Sequence, residues 1–264
     1  MTGRRVDVEI ASRGLLPSRE AARAAVLAGE VTVDGVVATK AGAPVGPDAV
    51  IEIAESRRYV SRGGLKLEGA LGAFGIDVAG ARAIDVGAST GGFTDCLLQR
   101  RAASVTAVDV GYGQLAWQLR NDERVRVLER TNIRTADPAV LGGPYDVAVI
   151  DVSFVALAKV LPSVMPLVAE TGFCLALVKP QFEVGKGRVG KKGVVRDAML
   201  HEEVLTSVSD TVHAAGWVVR GLTWSPVKGP EGNIEFWVWA DRSGPPADAS
   251  PAAVVAGAHE ALGG

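Results

Sequence analysis

The chain has 264 residues, of which 48% are hydrophobic and 22% are charged. These proportions are typical of a folded globular protein and disfavour disordered and fibrous classes, and the length allows one large domain or two unequal ones. The 28 basic and 30 acidic residues give a net charge of −2, so any basic surface for a nucleic acid must be local.

The cysteines and the hydropathy of the sequence indicate which classes of protein are disfavoured, namely metal-binding, secreted and membrane-spanning proteins. Cys96 and Cys174 lie in apolar stretches without metal-ligand spacing, so we predict reduced core residues and no metal site. No charged-then-apolar leader opens the sequence, and no apolar run reaches the roughly 18 residues that span a bilayer. A cytoplasmic protein without a membrane partner is therefore expected.

Residues 1–53 are predicted to form a small α+β domain. Helical spacing covers residues 6–16 and again 18–29, where Ser18 suits an N-cap and Gly29 suits a C-terminal stop. Residues 31–37 alternate around an Asp-Gly pair, which predicts a hairpin, and residues 49–53 predict another short strand.

This segment resembles the alpha-L RNA-binding domain. The resemblance is carried by Arg13-Gly14, Ser18-Arg19-x-x-Ala22, Gly29-x-Val31-x-Val33-Asp34-Gly35 and Lys40. It implies phosphate contacts, which position a nucleic acid without reading its sequence. The implied contacts are Arg4, Arg5, Arg13, Arg19, Arg23 and Lys40. The residues alone also fit an amphipathic helix pair with solvated charges, because acidic residues such as Glu9 and Glu20 lie among the arginines.

A short charged connector is predicted at residues 54–60, and an α/β domain at residues 61–242. Apolar runs predict strands at residues 82–86, 104–109, 124–128, 145–151, 172–178, 218–224 and 233–240. Helices are predicted at residues 92–101, 113–121, 157–169 and 198–215, the third of them interrupted by Pro162 and Pro166. This alternation indicates a doubly wound sheet. Residues 243–264 are expected to form a loose tail with at most a short final helix.

A glycine-rich turn, Asp85-Val-Gly87-Ala-Ser89-Thr-Gly91-Gly92-Phe93, separates the first of these strands from its helix. Glycines let the backbone approach a ligand closely, and helix-start amides favour electronegative groups. Asp109 ends the next strand about twenty residues on, where a carboxylate can accept hydrogen bonds from both ribose hydroxyls.

Two other interpretations of this turn fit less well. A dinucleotide-binding fingerprint requires a glycine where Ser89 stands. A hydrolase nucleophile elbow requires a suitably placed histidine, whereas His201, His213 and His259 lie in helix-like or tail contexts.

The acid in the first strand, the glycine turn and the acid ending the second strand resemble class I methyltransferases. Four further motifs extend the resemblance to FtsJ-like RNA methyltransferases and, over the full length, to the TlyA family. They are Asp109-Val-Gly-Tyr-Gly-Gln-Leu115, Asp151-Val-Ser-Phe154, Lys179-Pro-Gln-Phe-Glu183 and Gly232-Asn-Ile-Glu235. The resemblance implies S-adenosylmethionine as cofactor. The implied cofactor contacts are Asp85, Gly87, Ser89, Gly91, Gly92, Phe93, Asp109, Thr131 and Asn132.

Lys66, Asp151, Lys179 and Glu235 match the Lys-Asp-Lys-Glu tetrad of FtsJ-like enzymes. Asp151 and Lys179 end predicted strands, where ligand chemistry in open α/β sheets collects. A ribose 2′-hydroxyl is a poor nucleophile and needs a base. We expect Lys179 to be that base or its immediate activator, because burial and the ammonium of Lys66 favour its neutral amine, although Asp151 and Glu235 oppose this. The other three residues would orient the amine, the hydroxyl and the methyl donor.

The TlyA resemblance implies methylation of a ribose 2′-hydroxyl of ribosomal RNA, on cytidine, in small-subunit 16S or large-subunit 23S RNA, with ribosomal subunits as partners. Arg62 and the basic, glycine-rich loop with Lys186 and Arg188 are further candidates for phosphate contact. Two other functional classes are a non-catalytic ribosome-binding protein that retains the fold and a haemolysin. The second is disfavoured because the sequence offers neither a leader nor a membrane-spanning run.

Overall fold

A computed structural model describes residues 3–16, 18–27, 31–53, 58–185, 187–190, 193–229, 231–246 and 250–263. The chain divides into two units, Met1–Arg58 and Tyr59–Gly264. One hydrophobic cluster forms the core of the smaller unit, and two clusters form the core of the larger one. Within the described ranges, every helix is too short or too polar to cross a lipid bilayer.

The smaller unit combines two helices with two small antiparallel sheets. Its elements are β1 (Arg4–Arg5), α1 (Val6–Ser12), α2 (Arg19–Leu27), β2 (Val31–Val33), β3 (Val36–Val37), β4 (Pro44–Val45) and β5 (Ile51–Ile53). β1 pairs with β4, and the other sheet has the order β3-β2-β5. The predicted hairpin is confirmed: Asp34 and Gly35 both have positive φ, at 50° and 78°, as a tight two-residue turn requires.

The helix boundaries in this unit follow local capping chemistry. The Ser18 hydroxyl accepts a hydrogen bond from the Ala21 amide at 3.1 Å, which confirms the predicted N-cap. The prediction that the first helix continues to residue 16 is wrong. Gly14 adopts φ 67°, and the amide of Leu15 donates to the carbonyl of Ile10 at 3.1 Å, so a Schellman turn ends the helix early. The Gly29 stop lies outside the described residues.

A seven-stranded sheet organises the larger unit. Its strands are β6 (Arg82–Val86), β7 (Ser104–Val108), β8 (Val125–Leu128), β9 (Tyr145–Ile150), β10 (Val168–Val178), β11 (Val218–Trp224) and β12 (Phe236–Asp241). The order is β11-β12-β10-β9-β6-β7-β8, with β12 antiparallel to both its neighbours and the pairs from β10 through β8 parallel. The predicted doubly wound α/β architecture is thereby confirmed.

Helices cover both faces of this sheet. They are α3 (Gly63–Phe74), α4 (Gly92–Gln99), α5 (Trp117–Arg120), α6 (Pro138–Leu141), α7 (Leu161–Val164), α8 (Pro180–Glu183), α9 (Ala198–Ala214) and α10 (Pro251–Leu262). Helices α3 and α4 contribute to the core on one face, whereas α9 and α10 contribute to the core on the other. Neighbouring residues of β9 pack into different cores: Val147 lies in the core on one face of the sheet, and Ala148 lies in the core on the other. Because both faces are covered, the strands are largely apolar along their length.

Helix α3 was not predicted, because four of its twelve residues are glycine. Two of these glycines are required by close packing. An added Cβ at Gly64 would overlap the buried ring of Tyr59, and one at Gly69 would lie 2.6 Å from Pro226. The low intrinsic helix propensity of glycine is therefore outweighed by the contacts that its missing side chain permits. This helix carries Lys66.

Other elements differ from their predicted limits for identifiable reasons. The helix predicted at residues 157–169 is broken by Pro162 and Pro166 into short helical turns before β10 begins at Val168. The tail contains a complete helix, α10, whose Val254 and Val255 are buried. Ser250 caps it by accepting a hydrogen bond from the Ala253 amide at 3.2 Å.

Candidate functional site

The strand order reverses between β6 and β9, and this is where the larger unit opens into a crevice. Strands β7 and β8 are added to the sheet on one side of this point, and β9 and β10 are added on the other side. The loops that follow β6 and β9 therefore lead away from each other and leave a crevice between them. A cavity of about 480 Å³ reaches from Asp109, after β7, to Asp151, after β9. A second cavity of about 200 Å³ shares Gly87, Ser89 and Asp151 with it and extends to Lys66.

The glycine turn between β6 and α4 forms the wall common to both cavities. Gly87 has φ 89°, and an added Cβ would collide with the carbonyl oxygen of Asp151. Gly91, with φ 96°, is the N-cap of α4, and an added Cβ there would meet the side-chain ends of Leu119 and Leu115. Both positions therefore favour glycine for backbone conformation, and Gly87 requires it for space as well.

Asp85, in β6, stabilises the turn through hydrogen bonds to Thr94 at the start of α4. It is fully buried, and its Oδ2 accepts hydrogen bonds from the amide and the hydroxyl of Thr94, at 2.9 and 2.7 Å. Its Oδ1 has no hydrogen-bond partner among the described residues. Burial raises the pKa of this carboxyl to about 7; the Thr94 hydrogen bonds counteract the rise, and the charges of Asp151 and Asp109 add to it.

Asp109 forms hydrogen bonds with two loops at the edge of the cavity, the glycine turn and the segment that follows β7. Its Oδ2 accepts the amide of Ser89 at 2.8 Å, and its Oδ1 accepts the amide of Gly111 at 2.6 Å. Each carboxylate oxygen can accept more than one hydrogen bond, so these contacts leave capacity for a ligand. Thr131 and Asn132 line the same cavity, as the sequence-based interpretation requires.

The remaining predicted cofactor residues occupy two different environments. Gly92 and Phe93 line the smaller cavity, and the Phe93 ring also packs 5.4 Å from that of Trp237. Asp85 and Gly91 line neither cavity and instead hold the turn in place. The sequence did not single out Ile133, which is 7% exposed and gives the larger cavity an apolar wall.

The first pair of the predicted tetrad is a buried ion pair. Lys66, on α3, places its Nζ 2.6 Å from Oε2 of Glu235, just before β12, and the two residues are 8% and 1% exposed. Burial raises the pKa of Glu235, and the nearby charges of Lys66 and Lys179 counteract this. Oε1 of Glu235 has no hydrogen-bond partner within the described part of the chain.

The second pair lies beside the first. Nζ of Lys179, at the end of β10, is 2.6 Å from Oδ1 of Asp151 and donates a hydrogen bond to the hydroxyl of Ser153 at 2.9 Å. The Glu235 carboxyl lies close enough to this pair to be affected by its charges: Lys179 acts to lower the pKa of Glu235, and Asp151 acts to raise it. The structure therefore brings the four predicted residues together from four separate segments, next to both cavities.

An exposed aromatic ring marks the rim of this site. Phe154 is 90% exposed, lines the larger cavity and packs 5.0 Å from the ring of Phe182. Its φ of 64° is unfavourable for a side chain of this size and costs about 1–2 kcal/mol. Strain of this kind is concentrated at functional sites. No sequence pattern predicts which phenylalanine will be exposed, so Phe154 was missed as a site residue.

The predicted RNA contacts of the smaller unit include arginines held in ion pairs and side chains that are exposed. Arg5 and Arg19 donate to Asp7, which is 1% exposed, at distances from 2.8 to 3.2 Å. Their hydrogen bonds hold the pKa of Asp7 well below its usual range, despite the opposing effect of burial. Arg23 and Lys40 are exposed.

Two further arginines of the smaller unit also make contacts within it. Arg4 lies 3.5 Å from Glu9, and Arg13 donates to Glu9 and to the carbonyls of Pro47 and Ala49 at 2.7–2.8 Å. Arg13 thus braces its own fold, and this internal role was not evident from sequence.

The candidate RNA contacts of the larger unit are three. Arg62 is exposed and lines the smaller cavity. Arg188 pairs with Glu203 at 2.5–2.6 Å on the protein surface. Lys186 lies outside the described residues.

Comparisons with known proteins identify the families that this chain resembles. The family described as FtsJ-like methyltransferase matches residues 59–242, and the S4 domain family matches residues 4–51. The chain is 49% identical to the "16S/23S rRNA (cytidine-2'-O)-methyltransferase TlyA" of Mycobacterium tuberculosis, over 89% of this chain and 88% of that protein. It is 40% identical to "Hemolysin A" of Brachyspira hyodysenteriae, over 88% and 97%. A solved structure named "Putative hemolysin from Streptococcus thermophilus" is 43% identical, with a TM-score of 0.76 over 99% of this chain and 97% of that one.

Replacing Asp85 with Asn tests whether this buried carboxyl has a raised pKa that affects the stability of the folded protein. Because the pKa of Asp85 is about 7 in the folded protein and about 3.9 in an unfolded chain, the folded state binds an extra proton between these values. The free energy of unfolding should therefore fall as the pH rises from about 4 to 7. Asp85→Asn should remove this slope and should be more stable than the wild type at pH 8.

Denaturant unfolding followed by tryptophan fluorescence measures this, since all five tryptophans lie in the larger unit. Asp210→Asn, an exposed position on α9, is the control and should retain the wild-type slope. Parallel pH profiles for Asp85→Asn and the wild type would contradict the interpretation.

Proposed function

The chain belongs to the TlyA family of FtsJ-like methyltransferases, and from this membership we propose that it transfers a methyl group from S-adenosylmethionine to the 2′-hydroxyl of a cytidine in ribosomal RNA. The observation that supports this most is the convergence of Lys66, Asp151, Lys179 and Glu235 beside the cavities at the strand-order reversal. A non-catalytic role fits less well, because both ion pairs and both cavities are intact.

The residues around the larger cavity fit the cofactor. One continuous cavity touches Asp109, suited to ribose hydroxyls, and Asp151, beside the proposed base. Ile133 offers an apolar surface for a purine, and the backbone near Gly87 and Ser89 faces the same space for the methionine part. S-adenosylmethionine supplies a methyl group activated by a positively charged sulfur. The carboxylates of Asp109 and Asp151 suit that charge.

Lys179 is proposed as the base that removes the hydroxyl proton. In its charged form its ammonium is paired with Asp151, so the proton must first leave to solvent. The positive charge of Lys66 stabilises negative charge developing on the sugar oxygen. Glu235 holds Lys66 in place, and Asp151 stabilises the ammonium that forms when the substrate proton arrives.

The RNA itself is proposed to contact both units. The S4 match and the exposed Arg23 and Lys40 support phosphate contacts by the smaller unit. Arg62, at the smaller cavity, is the corresponding candidate beside the site. Ribosomal subunits in the cytoplasm are the partners that this function implies.

Two substitutions of Lys179 test the assignment of the base. Lys179→Arg keeps a cation that can pair with Asp151, but a guanidinium does not lose its proton in proteins. Methyl transfer to ribosomal subunits should fall by about 10²-fold or more for both Lys179→Arg and Lys179→Ala, because general base catalysis contributes on that order. RNA and cofactor binding, measured by filter binding and calorimetry, should be largely retained. The exposed Lys159→Ala serves as control. Substantial turnover by Lys179→Arg would refute the assignment.

Phe154 provides an independent test of how the substrate is held. An exposed ring at the cavity rim is suited to stack on a nucleotide base turned out of its own stack. Since such stacking contributes about 1–3 kcal/mol, Phe154→Ala should lower kcat/KM for RNA by about 5- to 100-fold. Phe154→Tyr should preserve it, and in Phe154→Ala the loss of kcat/KM for RNA should exceed any loss of cofactor affinity. A loss of cofactor affinity with unchanged kcat/KM for RNA would show that the ring serves a different ligand.

A further inference from the structure

The amine of Lys179 has two polar neighbours that act on it differently. Oδ1 of Asp151 is close, at 2.6 Å, yet it is not part of a hydrogen bond of acceptable geometry. The hydroxyl of Ser153, at 2.9 Å, does accept a hydrogen bond from Nζ. Among the described residues, Asp151 therefore supplies a negative charge near the Lys179 amine, whereas Ser153 supplies a hydrogen-bond acceptor that orients it.

Direction matters for a lysine that acts as a base. A neutral amine carries two N–H bonds and one lone pair, and rotation about the last side-chain bond sweeps the lone pair through a circle. An ion pair with an off-axis carboxylate restrains that rotation weakly, because charge attraction depends mainly on distance. A hydrogen bond restrains it strongly, since its strength falls steeply away from linearity. One N–H held on a fixed acceptor limits where the lone pair can point.

Ser153 is itself held in place by the surrounding chain. It lies two residues after Asp151, in a segment fastened to helix α8, which follows Lys179 directly. The Leu157 amide donates to Oε1 of Glu183 at 2.9 Å, and the rings of Phe154 and Phe182 pack together. Ser153 and Lys179 thus sit on two segments that are braced against each other. Ser153 also lines the larger cavity together with Asp151.

We propose that Ser153 is a positioning residue for Lys179, which accepts one N–H of the amine and so directs its lone pair toward the substrate hydroxyl. This rests on the proposed function. In the step concerned, the 2′-hydroxyl proton passes to the Lys179 lone pair and gives an ammonium. The 2′-oxygen bonds to the methyl carbon as the carbon–sulfur bond breaks, with its electron pair left on sulfur. The ammonium then releases the proton to solvent.

The test compares Ser153→Ala, which removes the acceptor, with Ser153→Thr, which keeps a hydroxyl at this exposed position. Ser153→Ala should lower kcat by about 10- to 100-fold, the effect of losing a hydrogen bond to a charged group, while KM for RNA and for S-adenosylmethionine stays unchanged. Ser153→Thr should recover most of the rate. Ser207→Ala, on the exposed face of α9, is the matched control.

The split between kcat and KM separates positioning from a purely structural role. Because Ser153 lines the larger cavity, a structural disturbance there would weaken the binding of cofactor or RNA and raise KM. Loss of the amine's orientation should instead lower kcat alone. The other charged groups around the amine, Asp151, Glu235 and Lys66, are the same in every variant.

Three results would overturn the proposal: a wild-type kcat for Ser153→Ala, a loss confined to KM, or a Ser153→Thr variant as slow as Ser153→Ala. These differ from failure of the proposed function itself. In that case the wild type would place no methyl group on ribose, or Lys179→Ala would remain active.

Discussion

Two adjacent ion pairs at the carboxyl edge of the sheet determine how the rest of the larger unit is arranged. Lys66 with Glu235 and Lys179 with Asp151 bring four ionisable groups together, of which three are buried and Asp151 is partly buried. A buried charge without its partner would cost several kcal/mol, so the segments that carry these groups must arrive in register. The strand order provides this, because β9, β10 and β12 are neighbours in the sheet and α3 packs beside them.

Much of this arrangement could be predicted from sequence, and the exceptions have physical causes. Apolar runs identified the strands because both faces of the sheet are covered. Spacing alone did not identify α3, since Gly64 and Gly69 are explained only by the residues packed on them. The internal role of Arg13 was equally hidden, because its carbonyl acceptors are more than thirty residues away. A short sequence pattern reflects the conformational preference of its own residues. The roles of Gly64, Gly69 and Arg13 depend instead on residues that are distant in the sequence.

The candidate site divides in the same way. The tetrad and the glycine turn were recognisable because their residue types and spacing are restrictive. The orientation of a hydroxyl or the exposure of a ring is not encoded in any short motif, so Ser153 and Phe154 emerged only from the structure. Unfavourable features collect around the same cavities: the buried carboxyl of Asp85, the left-handed backbone of Phe154 and Oε1 of Glu235, which has no hydrogen-bond partner among the described residues. Such a concentration is typical of sites where stability has yielded to function.

The converging residues are proposed to direct a methyl group to a sugar oxygen, and the position of the methyl group in the product shows whether they do. Purified protein and isotopically labelled S-adenosylmethionine are incubated with separated ribosomal subunits, and the RNA is digested to nucleosides for mass spectrometry. Label on the ribose 2′-oxygen of cytidine, absent when Lys179 is replaced, is the expected result. Label on a base, or label on ribose that persists without Lys179, would contradict the claim.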